Sequence, residues 1–285
     1  MSRNFIDLHM HSTASDGLFQ PEEVMQKARA KGVGLISLTD HDTMRGVQRA
    51  DAEAQKLGMT LIPGVEISTR THGKNCHLLA YFKSAEGLDD FIVMLDERLE
   101  ARERRFKEMV GKFEKIGVPL DESIVRRLAD GAAITRPHVA RALVEQGIVS
   151  EIQEAFDKYL ADGKPCYVPY EKIETSDIIA QVREAGGITS VAHPGVDGFG
   201  ERELSDLKKA GLTGIEVYHF DHDAQKRRMY ASIATRLGLI CTGGSDFHGH
   251  HARTFYDSDT EDEGVPQQVR GPFLEALEKA ARSRA

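Results

Sequence analysis

The segment DLHMHSTASDG, residues 7–17, places two histidines two positions apart at the end of a short apolar run, then breaks into small polar residues, an aspartate and a glycine. In an extended strand residues i and i+2 point the same way, so His9 and His11 share one face. A solvated hairpin face could carry such a pair without any function, and its meaning therefore depends on the surrounding chain. Immediately downstream, PEEVMQKARAKG (21–32) opens on Pro21 and two acidic residues and closes on glycine, the signals of a helix start and stop. The next apolar run, LISLTD (35–40), is followed directly by His41. Strand, helix, strand, with ionisable groups at each strand end, is one β/α unit.

The unit repeats along the chain. Further strands are expected at LIPGVEIS (61–68), CHLLAYF (76–82), ITSVAH (188–193), GIEVYH (214–219) and LICTGGSD (239–246), which makes seven with FIDLH (5–9). TMRGVQRADAEAQKLG and DAQKRRMYASIATRLG supply helices between them. This is the pattern of β/α units around a parallel sheet, and 285 residues suffice for an α/β barrel with an insertion. The alternation stops over residues 86–172, where the sequence turns nearly all helical. GLDDFIVMLDERLEARERRFKEMVGKFEKIG reads as one long amphipathic helix or two, followed by DESIVRRLADG, RPHVARALVEQG and EIQEAFDKYLADG. The expected division is a barrel domain, 1–85 with 173–285, and a helical insertion, 86–172, placed to cover the barrel mouth. GHHARTFYDSDTEDEGVPQQ (249–268) reads as a mobile polar loop before a last helix.

Composition narrows the function classes. The hydrophobic share of 40% and charged share of 29% are ordinary for a globular protein, and no apolar run approaches the ~20 residues of a membrane span. The first residues contain no apolar signal-peptide core, so a cytoplasmic protein is expected. Cys76, Cys166 and Cys241 lie far apart without a C-x-x-C pair, which argues against a disulfide framework or a zinc-thiolate site. A net charge of -8 leaves no broad basic surface for a long nucleic acid, whereas a small anion needs only a local reversal of field. Twelve histidines against no tryptophan make the placement of the histidines decisive.

That placement is regular. His9 and His11 end the first strand, Asp16 follows in its loop, and His41 follows the second; Glu66 lies late in the third and His77 in the fourth. His193 ends the fifth, and Asp246 with His248 follows the seventh in GGSDFH. Singly, each has a plain alternative: a core histidine, a helix cap in SDFH or TDHD, a carboxylate paired with a base. Jointly, chance would have to decorate six of the seven strand ends. In a β/α barrel these ends converge, as a metal centre requires. Imidazole with carboxylate and no thiolate suits Mn, Zn or Fe, and nine donors exceed one tetrahedral ion, so two or three divalent ions are expected.

DLHMHSTASDG, SLTDHDT, GVEIS, CHLLAY, VAHPG and GGSDFH, in this order, resemble the PHP (polymerase and histidinol phosphatase) metal-dependent phosphoesterases. The resemblance covers most of the chain outside the insertion. It implies a distorted (β/α)7 barrel with up to three ions. His9, His11, Glu66 and Asp246 would hold the first; Glu66 would bridge to a second held by His77 and His193; Asp16, His41 and His248 would hold the third. Some relatives carry histidine in place of Asp16, and this exchange of nitrogen for oxygen favours Mn over Zn or Fe here.

Within that family the insertion resembles the branch acting on 3',5'-nucleoside bisphosphates and short RNA ends. Arg98, Arg102 and Arg105 fall at i, i+4 and i+7 and share a helix face. In ITRPHVARAL, Pro137 marks a helix start and puts Arg136 and His138 where an anion is favoured. Lys164, in GKPCYV, adds a donor. Arg102, Arg105, Arg136, His138 and Lys164 are thus the candidate substrate-binding residues, the alternative being a solvated basic face. The expected reaction is hydrolysis of the 3'-phosphate of a nucleoside bisphosphate to the 5'-monophosphate and phosphate. A hydroxide held between the ions would be the nucleophile, and His193 or His248 would pass a proton. Rival readings are a 5'-to-3' exoribonuclease on short 5'-phosphorylated RNA, a histidinol phosphatase, and a metal-binding structural domain without activity. Expected partners are thus a small nucleotide or short oligoribonucleotide, with no membrane and no long nucleic acid.

Overall fold

Short strands buried on both faces can be satisfied only between an inner core and an outer layer of helices, and that requirement sets the architecture. The computed structural model describes residues 4–129, 134–169, 173–249 and 264–284. Among them the strands are β1 (Phe5–Asp7), β2 (Val33–Leu38), β3 (Thr60–Thr71), β4 (Lys74–Tyr81), β5 (Ile188–Val191), β6 (Gly214–Tyr218) and β7 (Ile240–Gly243). They pair in sequence order in one seven-stranded sheet. The outer edges of β1 and β7 meet: Leu8 N donates to Gly243 O (3.1 Å), Asp246 N to His9 O (2.8 Å) and His11 N to Phe247 O (2.9 Å). These bonds join the two ends of the sheet into a distorted barrel.

The helices are α1 (Pro21–Ala30), α2 (Val47–Lys56), α3 (Asp89–Lys115), α4 (Glu122–Ala129), α5 (Arg136–Glu145), α6 (Ile152–Ala155), α7 (Thr175–Glu184), α8 (Pro194–Asp197), α9 (Glu201–Ala210), α10 (Ala224–Leu237) and α11 (Arg270–Arg284). The α1 start is the one read from Pro21: Gln20 and Glu23 form a capping box around it. One cluster of buried residues holds Ile6, Leu8, Leu35, Ile62, Leu79, Tyr81 and Ile188 with Phe273 and Leu277 of α11. A second sets Val33, Ile36 and Leu38 against Val24, Met25 and Ala28 of α1 and Ala50 and Ala54 of α2. Leu35 and its neighbours Ile36 and Leu38 thus serve different layers, which is why β2 reads as unbroken apolar sequence.

One expectation fails. The sheet is parallel except at β4, which runs antiparallel to both β3 and β5. A parallel crossover needs a dozen or more residues, and only His72 and Gly73 separate β3 from β4. Both adopt left-handed φ angles, 52° and 80°, the geometry of a tight hairpin turn. The consequence for His77 is large. It lies near the start of β4, and a parallel β4 would put it at the opposite end of the barrel from His9 and His41. Reversal brings it to the same end, where Ala192 N donates to His77 O (2.9 Å).

The chain divides into two compact units, Met1–Ile92 with Lys172–Ala285, and Val93–Glu171. The second has its own core, in which Phe106, Met109 and Phe113 of α3 are buried with Val125, Val139, Leu143, Leu160 and Cys166. The sequence Asp89–Lys115 forms a single helix rather than two. Cys76 and Cys166 are buried free thiols, and Cys241 is half-buried and also free. Most of the segment expected as a polar loop, with His250 and His251, lies outside the described residues. No described helix is long and apolar enough to cross a membrane.

Candidate metal centre

β1 ends at Asp7, and the chain continues extended through His9 and His11, both wholly buried. Their Nε2 atoms address the same two carboxylates. His9 Nε2 lies 3.2 Å from Glu66 Oε2 and 3.3 Å from Asp246 Oδ1; His11 Nε2 lies 3.3 Å and 3.2 Å from the same atoms. The shared face read from the i, i+2 spacing is therefore the inner one. Gly244 allows this approach, since a Cβ there would fall 2.3 Å from His9 Cβ.

Glu66 is the hub. It is fully buried within β3, and its two oxygens face different imidazoles. Oε2 also meets His41 Nδ1 at 3.1 Å, while Oε1 meets His77 Nδ1 at 3.1 Å and His193 Nε2 at 3.2 Å. Beyond His11 and His41 a second carboxylate takes over. Asp16 lies 3.7 Å from His11 Nδ1, 3.6 Å from His41 Nε2 and 3.3 Å from His248 Nε2. All nine residues singled out in the sequence thus stand in one contiguous cluster. Among the described residues three sets of donor atoms are compact enough to hold an ion: His9, His11, Glu66 and Asp246; His41, Glu66 and His77; and His11, Asp16, His41 and His248. The first contains the residues expected for one ion; the second has His41 where His193 was expected, and the third adds His11 to Asp16, His41 and His248, the His11 and His41 rings each offering their two nitrogens to two neighbours.

The donors fit divalent ions on a physical ground. His9 Nε2, both nitrogens of His11, His41 Nδ1 and Glu66 Oε2 are buried without any hydrogen-bond partner. Such an atom costs about 1–3 kcal/mol each when left unpaired. Clustered, aimed at one another and of mixed nitrogen and oxygen type, they match the donor preferences of Mn, Fe or Zn. Charge follows the same logic. Burial opposes protonation of these imidazoles, yet for His11 the adjacent carboxylates of Asp246 and Glu66 outweigh it and push the group up to about 10. His9 and His193 are raised as well, whereas burial takes His41 down to about 4. Burial would raise Glu66 and Asp246, but the surrounding histidines hold both well below the usual carboxylate range.

The supporting shell was largely missed from sequence. Asp40, buried, accepts from Ser12 N (2.7 Å), Ser12 Oγ (2.8 Å) and Ser15 Oγ (2.8 Å), and Ser15 Oγ also reaches Asp16 Oδ1 (3.1 Å). The STASD loop is thus tied down so that Asp16 faces inward. Asp197 Oδ2 stands 3.5 Å from His193 Nδ1. Glu216, in the apolar run GIEVY, approaches His9 Nδ1 at 3.0 Å, and its only signal in the sequence was a carboxylate amid core residues. His219, just beyond β6, is buried with Nε2 3.5 Å from Asp246 Oδ2. His222 Nε2 accepts from Gly195 N (3.0 Å), just beyond His193.

The basic candidates of the second unit are engaged differently. Arg136 Nη1 donates to Leu160 O (3.1 Å) and to Asp162 Oδ1 (3.2 Å), and its guanidinium sits 5.3 Å from the Tyr167 ring centre. Arg105 Nε donates to Val168 O (3.0 Å). Arg102 is buried, and Lys164 is exposed. At the α5 start, His138 Nδ1 accepts from the Thr135 amide (3.3 Å) in a capping box.

The chain is similar to known proteins over most of its length. The PHP domain model matches residues 7–164. A 5'-3' exoribonuclease of Haemophilus influenzae is 38% identical over 246 residues, 85% of this chain and 89% of its own length. A 3',5'-nucleoside bisphosphate phosphatase of Chromobacterium violaceum is 35% identical over 252 residues, 85% of this chain and 87% of its own. A crystal structure from Bifidobacterium adolescentis, assigned to the metal-dependent phosphoesterases, superposes with a TM-score of 0.72 at 27% identity, covering 96% of each chain.

Proposed function

The chain belongs to the PHP family of metal-dependent phosphoesterases, and from that premise we propose that it removes the 3'-phosphate of 3',5'-nucleoside bisphosphates, yielding nucleoside 5'-monophosphate and phosphate. The observation that carries the reading is Glu66, whose two oxygens each face a separate group of buried imidazoles. A carboxylate so placed suits a bridge between ions. We assign His9, His11, Glu66 and Asp246 to one ion, Glu66, His77 and His193 to a second, and Asp16, His41 and His248 to a third, with Mn favoured by the oxygen of Asp16.

Divalent ions there would supply an activated water and offset charge developing on the phosphoryl group. The chain's own residues do the rest. Asp40 holds the loop that presents Asp16. Of the two candidates for passing a proton to the departing ribose oxygen, His248 is the more accessible, at 24% against 10% for the His193 side chain. Arg102, Arg105, Arg136, His138 and Lys164 are assigned to the second phosphate, a grip remote from the bond being broken that orients the reacting one.

The Haemophilus relative favours a second reading, hydrolysis of a phosphodiester at the end of a short 5'-phosphorylated RNA by the same centre. The two are separated by giving the Mn-loaded protein 3',5'-adenosine bisphosphate, 3'-AMP, a 5'-phosphorylated oligoribonucleotide and histidinol phosphate. The bisphosphate is expected to show the highest kcat/KM. Faster turnover of the oligonucleotide would replace the phosphatase reading by the nuclease one, and histidinol phosphate as best substrate would sink both.

A further inference from the structure

β6 is the one strand of the barrel whose end carries none of the nine clustered residues. It carries Glu216 instead, with no exposed surface. Both oxygens of this carboxylate are used, and each is used on a residue of the cluster. Oε1 lies 3.0 Å from His9 Nδ1, and Oε2 accepts from the backbone N–H of His193 at 2.8 Å. An ionised carboxylate only accepts, so the His9 proton at this contact sits on Nδ1. In the neutral ring the lone pair is then on Nε2, the atom that faces Glu66 and Asp246.

The second contact meets a backbone problem. His193 has φ 26° and ψ 53°, a left-handed conformation that a residue with a Cβ rarely adopts, and Pro194 follows it. That turn is what swings His193 Nε2 to within 3.2 Å of Glu66 Oε1. The hydrogen bond from its amide is the contact that pins it.

We propose that Glu216 is a positioning residue for the centre, a single carboxylate that turns His9 so that Nε2 points inward and holds the His193 backbone in the turn that delivers its ring. The proposal rests on the reading that this cluster binds divalent ions. A carboxylate–histidine–metal relay is a general device for fixing ligand orientation. Here one carboxylate serves two ligands on two strands, 207 positions from the first in sequence.

Zinc serves as a diamagnetic probe. In the Zn-loaded wild-type protein, two-bond nitrogen–proton correlations of the histidine rings are expected to show His9 bound through Nε2 with Nδ1 protonated. Glu216→Gln offers one acceptor and one donor in place of two acceptors, so it satisfies His9 or His193 but not both. It is expected to weaken zinc binding about 10- to 100-fold in competition with a chelator. Glu216→Asp, which keeps the charge and loses reach, is expected to fall in the same direction. Coordination of His9 through Nδ1 in the wild type overturns the proposal even if both variants fail to fold. So does a folded Glu216→Gln protein with wild-type affinity, whatever its melting temperature. A wild-type protein that takes up no zinc or manganese defeats the metal reading itself, a separate result.

Discussion

The barrel and the helical unit both gather charged side chains, but they treat them in opposite ways. At the strand ends of the barrel, His9 Nε2, both nitrogens of His11, His41 Nδ1 and Glu66 Oε2 are buried without hydrogen-bond partners. In the helical unit two of the candidate arginines are tied to that unit's own backbone, Arg105 to Val168 and Arg136 to Leu160. A fold keeps clustered unpaired polar atoms only where something else completes them. A side chain that already braces a loop has a structural use whether or not it also meets a ligand. The first arrangement points to a ligand by itself, and the second needs an experiment to do so.

The contrast breaks most sharply at Glu66. Glu66→Ala removes the oxygens facing both imidazole groups, and loss of the ions forfeits several kcal/mol, so kcat/KM is expected to fall by about a thousandfold or more. Elemental analysis should show reduced metal in the same preparation; full metal content would remove Glu66 from the bridge. Because raised imidazoles such as His11 must shed protons to bind an ion, metal uptake should release protons and tighten as pH rises. Titration calorimetry in buffers of different ionisation enthalpy measures that release, and none would contradict imidazole ligation.

Asp40 tests the shell. Asp40→Asn keeps the size but disturbs a carboxylate that takes three bonds from the Ser12–Ser15 loop. The ion assigned to Asp16 is expected to weaken about 10- to 100-fold, while the ion assigned to His9 and Asp246 is retained. Equal loss of all ions would mean that the loop supports the whole fold. Arg136→Ala bears on the other region. If the arginine also grips the second phosphate, KM for the bisphosphate should rise about tenfold and that for 3'-AMP should not, the loss expected of one charge-assisted hydrogen bond. Equal changes in both, with a lower melting temperature, would leave it only its bonds to Leu160 and Asp162. The smallest effect is expected at His72, exposed in the β3–β4 turn with a left-handed φ of 52°. His72→Asn suits that turn and should leave metal content unchanged and stability within about 0.5 kcal/mol.

The strands, the helical insertion and all nine clustered residues were legible because each leaves a local mark: an apolar run, a glycine stop, an ionisable group at a strand end. Glu216 was not, since a carboxylate in GIEVY looks the same whether it faces solvent at an edge or His9 inside a barrel. The contacts of His219 and His222 were hidden likewise, since Asp246 follows β7 and Gly195 lies in α8.

By itself the sequence determined which histidines and carboxylates stand at or near strand ends and the order in which they come, because strand periodicity and the β/α alternation are local properties of the chain. The tertiary structure decided how His77 reaches the same end of the barrel as the others. Its position near the beginning of β4 is correct only because a two-residue turn reverses that strand, and the direction of a strand is set by its pairing with neighbours. The same holds for the division of labour around Glu66. Which imidazole meets which oxygen depends on how seven strands close on one another, and no spacing along the chain encodes that.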